Sequence, residues 1–295
     1  MGVFYETIPE SLRQWILEQH VFWVATAPLS PAGHVNVSPK GGPAGEIFGL
    51  VDEKTFWYLD MSGSGNETIS HLLEPHNGRI TIQFNAFVGP PKIVRLWGHG
   101  RILENGSKAF ADFTKLHSIN VLPGTRTIII VDAHQVGSSC GFSVPYYDFK
   151  DYRPILNDFF ATKERRYQEG KEEDRLDRYW AFKNAYSIDG LPGMPSGLVT
   201  GKKEKIEPSK KFVGAPSRPK YVYTHGFRLD QAIMLAVICF LLGVLTAVYG
   251  TQALELGQNL VWENVKHADL RAGNAAQGNA GLLRSMLSRR SPKAL

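Results

Sequence analysis

The chain has 295 residues, 43% hydrophobic and 21% charged, a balance that suits a folded chain and speaks against disorder for the bulk of it. Its formal charge of +5 is modest, whereas nucleic-acid-binding domains concentrate basic charge more strongly, so no nucleic-acid partner is expected. Two cysteines, Cys140 and Cys239, with no CxxC or HExxH pattern, argue against a disulfide scaffold and a metal site, and fit a reducing compartment.

The first ten residues carry two acidic side chains and no basic run, so no leader peptide is expected. Residues 9–19 read as a helix with Leu12, Trp15 and Ile16 on one face. Residues 21–27 are β-branched or aromatic and predict a strand. Gly33 turns the chain, and residues 34–38 alternate as a second strand before a loop of Gly41, Gly42, Pro43 and Gly45. A third strand follows at 55–60, a short helix at 68–73, and further strands at 79–87 and 92–103. Residues 107–117 predict a helix and 125–132 a strongly β-branched strand that can extend toward Val144. The roughly six strands lie too close together for crossovers of about a dozen residues. A closed or partly closed antiparallel barrel with peripheral helices, a mainly β (α+β) architecture, buries them most simply.

Residues 1–145 thus form the expected barrel domain. Beyond it, 146–199 reads as a helical extension, charged over 152–183 by runs such as Lys163-Glu164-Arg165-Arg166, which suit a solvated helix face. Residues 187–193 are turn-rich, and 200–230 read as a basic linker rich in lysine and proline. The 24 residues 231–254 contain no charge. About 20 apolar residues span a bilayer as a helix, so a single transmembrane helix is expected here in preference to a buried core helix. Lys210, Lys211, Arg218, Lys220 and Arg228 against Asp230 precede the run, and Glu255, Glu263 and Asp269 against Lys266 and Arg271 follow it. That asymmetry places the N-terminal domain on the cytosolic side of a membrane of unassigned organelle. Residues 255–295 form a polar tail expected to be disordered from Ala272, apart from a short helix at 282–287.

Three blocks carry candidate chemistry. In Tyr58-Leu-Asp-Met-Ser-Gly-Ser64-Gly65-Asn66-Glu67-Thr68 a strand ends, two glycines turn the chain and a helix begins. Backbone N–H groups at a helix start can hold a phosphate. Ser64 and Glu67 also match a capping box, which alone would explain the sequence. In His34-Val-Asn36-Val37-Ser38-Pro-Lys40, alternation sets His34, Asn36 and Ser38 on one face, needing either a polar ligand or solvent. In Lys92-Ile-Val-Arg95-Leu-Trp97-Gly98-His99-Gly100-Arg101, Arg95, Trp97, His99 and Arg101 share a face, Arg95 is a candidate counter-ion for an anionic ligand, and the glycines allow a bulge. No residue stands out as a general acid or base; His99 and His71 are the only candidates, because histidine titrates near neutral pH.

Together these blocks, with 22–27, 55–60 and 79–84, resemble the pyridoxamine 5′-phosphate oxidase-like superfamily, the FMN-binding split barrel, over residues 21–130. The resemblance implies a homodimer with two FMN sites at the subunit interface. It places Asn36, Val37, Ser38 and Lys40 against the isoalloxazine ring and Ser64, Gly65, Asn66 and Thr68 at the phosphate turn. That turn is usually Ser-Arg-Lys-like; here Gly65, Asn66 and Glu67 replace the cations, so backbone amides, Lys40 or Arg95 would supply positive charge. The Arg-Leu-His-type segment that helps hold the substrate phosphate in true pyridoxamine 5′-phosphate oxidases is missing, which argues against vitamin B6 as substrate. Asp189-Gly190 reads as a lid, a dimer contact or a tight capped turn. The expected function is an FMN-dependent oxidoreductase on a small molecule, anchored to a membrane. The alternatives are a non-catalytic flavin- or ligand-binding barrel acting as a membrane-tethered sensor or scaffold, and a barrel that uses a deazaflavin or heme.

Overall fold

A computed structural model describes residues 2–212, 234, 236–247, 249–250 and 258–264. The chain divides into two compact units, Met1–Tyr221 and Val222–Leu295.

The first unit begins with β1 (Val3–Tyr5) and α1 (Glu10–Leu17), whose Leu12 and Ile16 are buried. Strands β2 (Val21–Thr26), β3 (Asn36–Gly41), β4 (Phe48–Leu50) and β5 (Thr55–Met61) follow, then α2 (Glu67–Leu73). Strands β6 (Arg79–Asn85) and β7 (Ile93–Glu104), helix α3 (Lys108–Leu116) and strand β8 (Thr125–Ser139) complete the sheet. Its order is β3-β2-β6-β7-β8-β5-β4, with β1 paired to β8. All pairs are antiparallel. The path ends at β3 on one side and β4 on the other, which makes a curled, incompletely closed barrel.

Period-two alternation builds the barrel wall. On β2, Phe22, Val24 and Thr26 are buried; on β6, Ile80, Ile82 and Phe84 are. The central strand β8 is buried over Thr125–Val131, and its stretch Ile128–Val131 reads as a continuous apolar run, as a strand covered on both faces does. Inside, the rings of Phe22, Phe48, Phe56, Tyr58 and Phe84 meet at centroid distances of 5.2–6.3 Å. The bulge expected near His99 occurs between Trp97 and Gly98, where a Cβ on Gly98 would stand 2.5 Å from the Asp132 carbonyl.

The sheet has eight strands where the sequence predicts about six. The additions, β1 and β4, are three residues long, too short for a periodic pattern to register. The second strand runs from Asn36 to Gly41 and not over 34–38. Pro39 is tolerated inside it because β3 is an edge strand, where one row of N–H groups has no ladder partner.

The charged stretch expected as a solvated helix is broken into α4 (Ile155–Gln168), a 3-10 turn (Glu172–Asp174) and α5 (Leu176–Lys183). Phe160, Trp180 and Ala181 are buried. A further helix, α6 (Pro195–Glu204), runs into the expected linker and ends at Lys205, whose φ of 56° is left-handed. Trp180 and Met194 join the barrel's own apolar core.

Within the second unit, residues 236–247 and 258–264 are helical. The expected transmembrane span, 231–254, lies partly outside the described residues, as does the tail from 265. Among the described residues no helix is long and apolar enough to cross a membrane.

Candidate functional site

On β3 the pleat turns Asn36, Ser38 and Lys40 to one half-buried face and Val37 to the other, where it is 60% exposed. The half-buried face opens into a cleft of about 1300 Å³. The end of β5 and the turn behind it (Leu59, Met61 to Gly63, Gly65 to Thr68) form a second wall. Residues Gly41 to Pro43, Glu46 and Ile47 form a third. Residues of an irregular segment over 147–153, with Leu156 and Asn157 of α4, line the exposed mouth of the cleft.

Behind two of the lining cations, Lys40 and Arg126, lies Asp60, which is fully buried and does not itself line the cleft. Lys40 Nζ donates to its Oδ1 at 2.8 Å, and Arg126 Nε, from β8, donates to its Oδ2 at 2.7 Å. Burial pushes the Asp60 carboxyl up, but the two cations outweigh it and hold the pKa at about 2. Lys40 also stands 5.9 Å from the Tyr58 ring centre. A second Arg126 nitrogen donates to the Gly65 carbonyl at 2.7 Å and so pins the turn.

The capping box is not made. Helix α2 starts at Glu67 with Asn66 as its cap, so Ser64 lies too far back to reach and is exposed. Glu67 still turns back, but to the Asn66 N–H at 2.8 Å. Asn66 Nδ2 donates to Ser70 Oγ at 2.9 Å, and Asn36 Nδ2 donates to Thr68 Oγ1 at 3.0 Å, tying the turn to β3.

The extension buttresses this turn from behind. Trp180 Nε1 donates to Ser62 Oγ at 2.7 Å, and Asn184 Nδ2 donates to the Gly63 carbonyl at 2.8 Å. A Cβ on Gly193 would fall 1.7 Å from Asn66 Nδ2, so the contact requires glycine. Asp189 clamps the approach to β3: its Oδ2 accepts the His34 N–H at 2.6 Å, and its Oδ1 stands 2.6 Å from His34 Nδ1.

At the mouth, Phe149 stacks on His20 with centroids 3.8 Å apart. Tyr152 Oη lies 2.9 Å from His20 Nδ1, and Tyr147 meets Phe87 at 5.4 Å.

Of the residues singled out by sequence, Asn36, Ser38, Lys40, Gly65, Asn66 and Thr68 line one cleft. Val37 and Ser64 do not. Arg95 lies on the outer face of β7, where its Nε donates to Gln83 Oε1 at 2.8 Å. His99 is exposed on that strand, 5.4 Å from the His134 ring. His71 is buried on α2, bonded through Nδ1 to Thr26 Oγ1 at 2.9 Å, and burial lowers its pKa, which keeps it neutral. Neither histidine lines the cleft. Among the described residues no cluster of His, Cys, Asp and Glu could hold a metal ion.

Sequence reasoning missed Asp60, Arg126 and the aromatic mouth. The signal for the first two was present: Asp60 is the one charge of an otherwise uncharged β5, Arg126 stands just ahead of the apolar run Ile128–Val131, and buried charges come in pairs. The mouth was signalled only by aromatic density over 146–152.

No family model matches the chain. A curated relative, the pyridoxamine 5′-phosphate oxidase family protein ustO of Aspergillus flavus, is 37% identical over 204 residues, 67% of this chain and 80% of the relative. Among solved structures, HupZ of Group A Streptococcus is 21% identical over 44% of this chain and 91% of its own, with a TM-score of 0.33. A FAD-binding protein of Mesorhizobium loti is 16% identical over 46% and 96%, with a TM-score of 0.29. With TM-scores this low, neither structural likeness carries an argument about ligand or activity. The sequence match carries the assignment by itself: this chain belongs to the pyridoxamine 5′-phosphate oxidase family.

Proposed function

We propose that the cleft binds a flavin and that the protein is a flavin-dependent oxidoreductase acting on a small molecule. The observation that carries this reading is the polar face of β3, where Asn36, Ser38 and Lys40 stand half-buried and line a cleft of about 1300 Å³. Thr68 and Asp60 already hold Asn36 and Lys40 in place, so this face offers pre-oriented polar groups against which a flat heteroaromatic ring with a hydrogen-bonding edge can lie.

The residues present fit the ring. Asn36 and Ser38 would meet its polar edge, and Lys40 would hold positive charge beside it, anchored by Asp60. A bound flavin supplies hydride transfer. The chain itself binds and orients the ring, places charge beside it, and screens it from water through Tyr147, Phe149 and Tyr152. FMN is the form that the family resemblance implies, as is a homodimer with the sites at its interface. The uncharged run 231–254 supports a membrane tether with the barrel on the cytosolic side.

A second reading, a flavin binder without turnover, is favoured by the placement of His71 and His99 away from the cleft. The absorbance spectrum of the full-length protein, with the mass of any ligand released on denaturation, tests the flavin. Oxidised-flavin bands and a flavin mass are expected. A folded protein that stays colourless after riboflavin or FMN is added would refute the reading. Reduction of bound flavin by NADH or NADPH, followed by reoxidation with a substrate, separates enzyme from binder.

A further inference from the structure

The turn at 62–68 is the end of the cleft where a flavin phosphate is expected, and an anion of the chain's own already occupies it. Glu67 Oε2 takes the Asn66 N–H at 2.8 Å, and its Oε1 takes the Ile188 N–H at 3.2 Å. Lys211 Nζ stands 3.5 Å from the same Oε1, with both side chains more than four-fifths buried. Glu67 lines the cleft, whereas Ile188 and Lys211 do not, so these partners hold its carboxylate in place from the extension side of the turn. Two cations that line the cleft beside the turn are engaged as well, since Lys40 and Arg126 both close on Asp60. Two carboxylates, Asp60 and Glu67, stand against three cations, Lys40, Arg126 and Lys211. One net positive charge remains for a phosphate monoester that carries about two negative ones.

A phosphate entering here would either lie beside the Glu67 carboxylate or expel it from its three partners. Like charges at close range in a half-buried site repel strongly, and an expelled buried carboxylate loses its compensation. Burial pushes the Glu67 carboxyl up, but Lys211 and the backbone amides hold its pKa below the ordinary value, so the charge persists at neutral pH.

From this geometry we infer that Glu67 is a built-in stand-in for a ligand phosphate, and that the cleft selects the dephosphorylated flavin, riboflavin, over FMN and FAD. The inference rests on the flavin reading above and names which flavin that site takes.

Fluorescence-quenching titrations of the full-length protein with riboflavin, FMN and FAD test it. Wild-type protein is expected to bind riboflavin at least about tenfold more tightly than FMN. Glu67→Gln keeps an acceptor for one of the two amides, Asn66 or Ile188, and removes the charge, so FMN affinity is expected to rise about tenfold relative to riboflavin. Tighter binding of FMN than of riboflavin by wild type would overturn the inference, and so would a ratio that Glu67→Gln leaves unmoved. Should the variant fail to fold, the wild-type ratio decides alone. Binding of no flavin by either protein would refute the flavin reading itself, and this inference with it.

Discussion

Asp60 shows what one buried side chain decides. It ends an apolar strand, is fully buried, and holds Lys40 from β3 and Arg126 from β8 in one cluster. A charge taken out of water needs such partners, and removing one member of a buried pair costs about 3–5 kcal/mol because the other is left uncompensated. Asp60→Asn is therefore expected to lower the unfolding free energy by about that amount and to loosen the Gly65 turn, which Arg126 pins. The wild-type pH dependence follows from the same cluster. The carboxyl pKa is depressed from 3.8 to about 2 in the folded protein. Its contribution is therefore complete above 3.8 and lost as the pH falls through about 2. The loss is on the order of 2 kcal/mol. Urea unfolding of both proteins across that range checks this: the wild-type curve should fall, and the difference between the two should shrink. A constant difference would mean that Asp60 does not carry the effect.

At the scale of elements, the sequence was most legible where burial repeats with a simple period. Ile80, Ile82 and Phe84 give β6 its alternation, and Leu12 and Ile16 give α1 its stripe. Segments stabilised by a few long-range contacts were not legible. Strand β4 exists because Phe48 inserts into the aromatic core, and α6 because Pro195 opens a helix whose Gly197 lies against α5. The irregular segment over the cleft mouth belongs to this class. Tyr147 ties its backbone to the Phe87 carbonyl at 3.2 Å, and its side chains lean on His20. An aromatic contact of this kind contributes on the order of 1 kcal/mol. Phe149→Ala is therefore expected to raise the opening equilibrium of residues 145–154 about fivefold, leaving β6 and β8 unchanged. Amide hydrogen exchange resolved along the chain measures this. Equal acceleration in the barrel strands would show that Phe149 acts on the whole fold and not on the mouth.

For the molecule as a whole, the sequence separates barrel from extension at Pro145, but the physics of the contacts joins them. The composition does change there, from β-branched to charged, and that change suggested a separate helical appendage. Composition cannot show that Trp180 and Met194 complete the barrel's own core, or that Ser62, Gly63 and Ser70 hydrogen-bond to Trp180, Asn184 and Leu191. These partners lie more than a hundred residues apart, so no local pattern encodes them. Elements that share a buried core and buried hydrogen bonds open together. The amides of Gly193 and Met194, which donate to the carbonyls of Ala185 and Asn184, should then exchange with nearly the same opening free energy as those of Ile128, Ile129 and Ile130 in β8. Native-state hydrogen exchange in increasing urea tests this on the full-length protein. Convergence of the two sets on one isotherm would make the extension part of the cooperative unit that holds the cleft. Opening of 184–194 several kcal/mol below β8 would instead make it a detachable buttress. In that case the 62–68 turn, and any ligand bound there, would be controlled by how often the extension lets go.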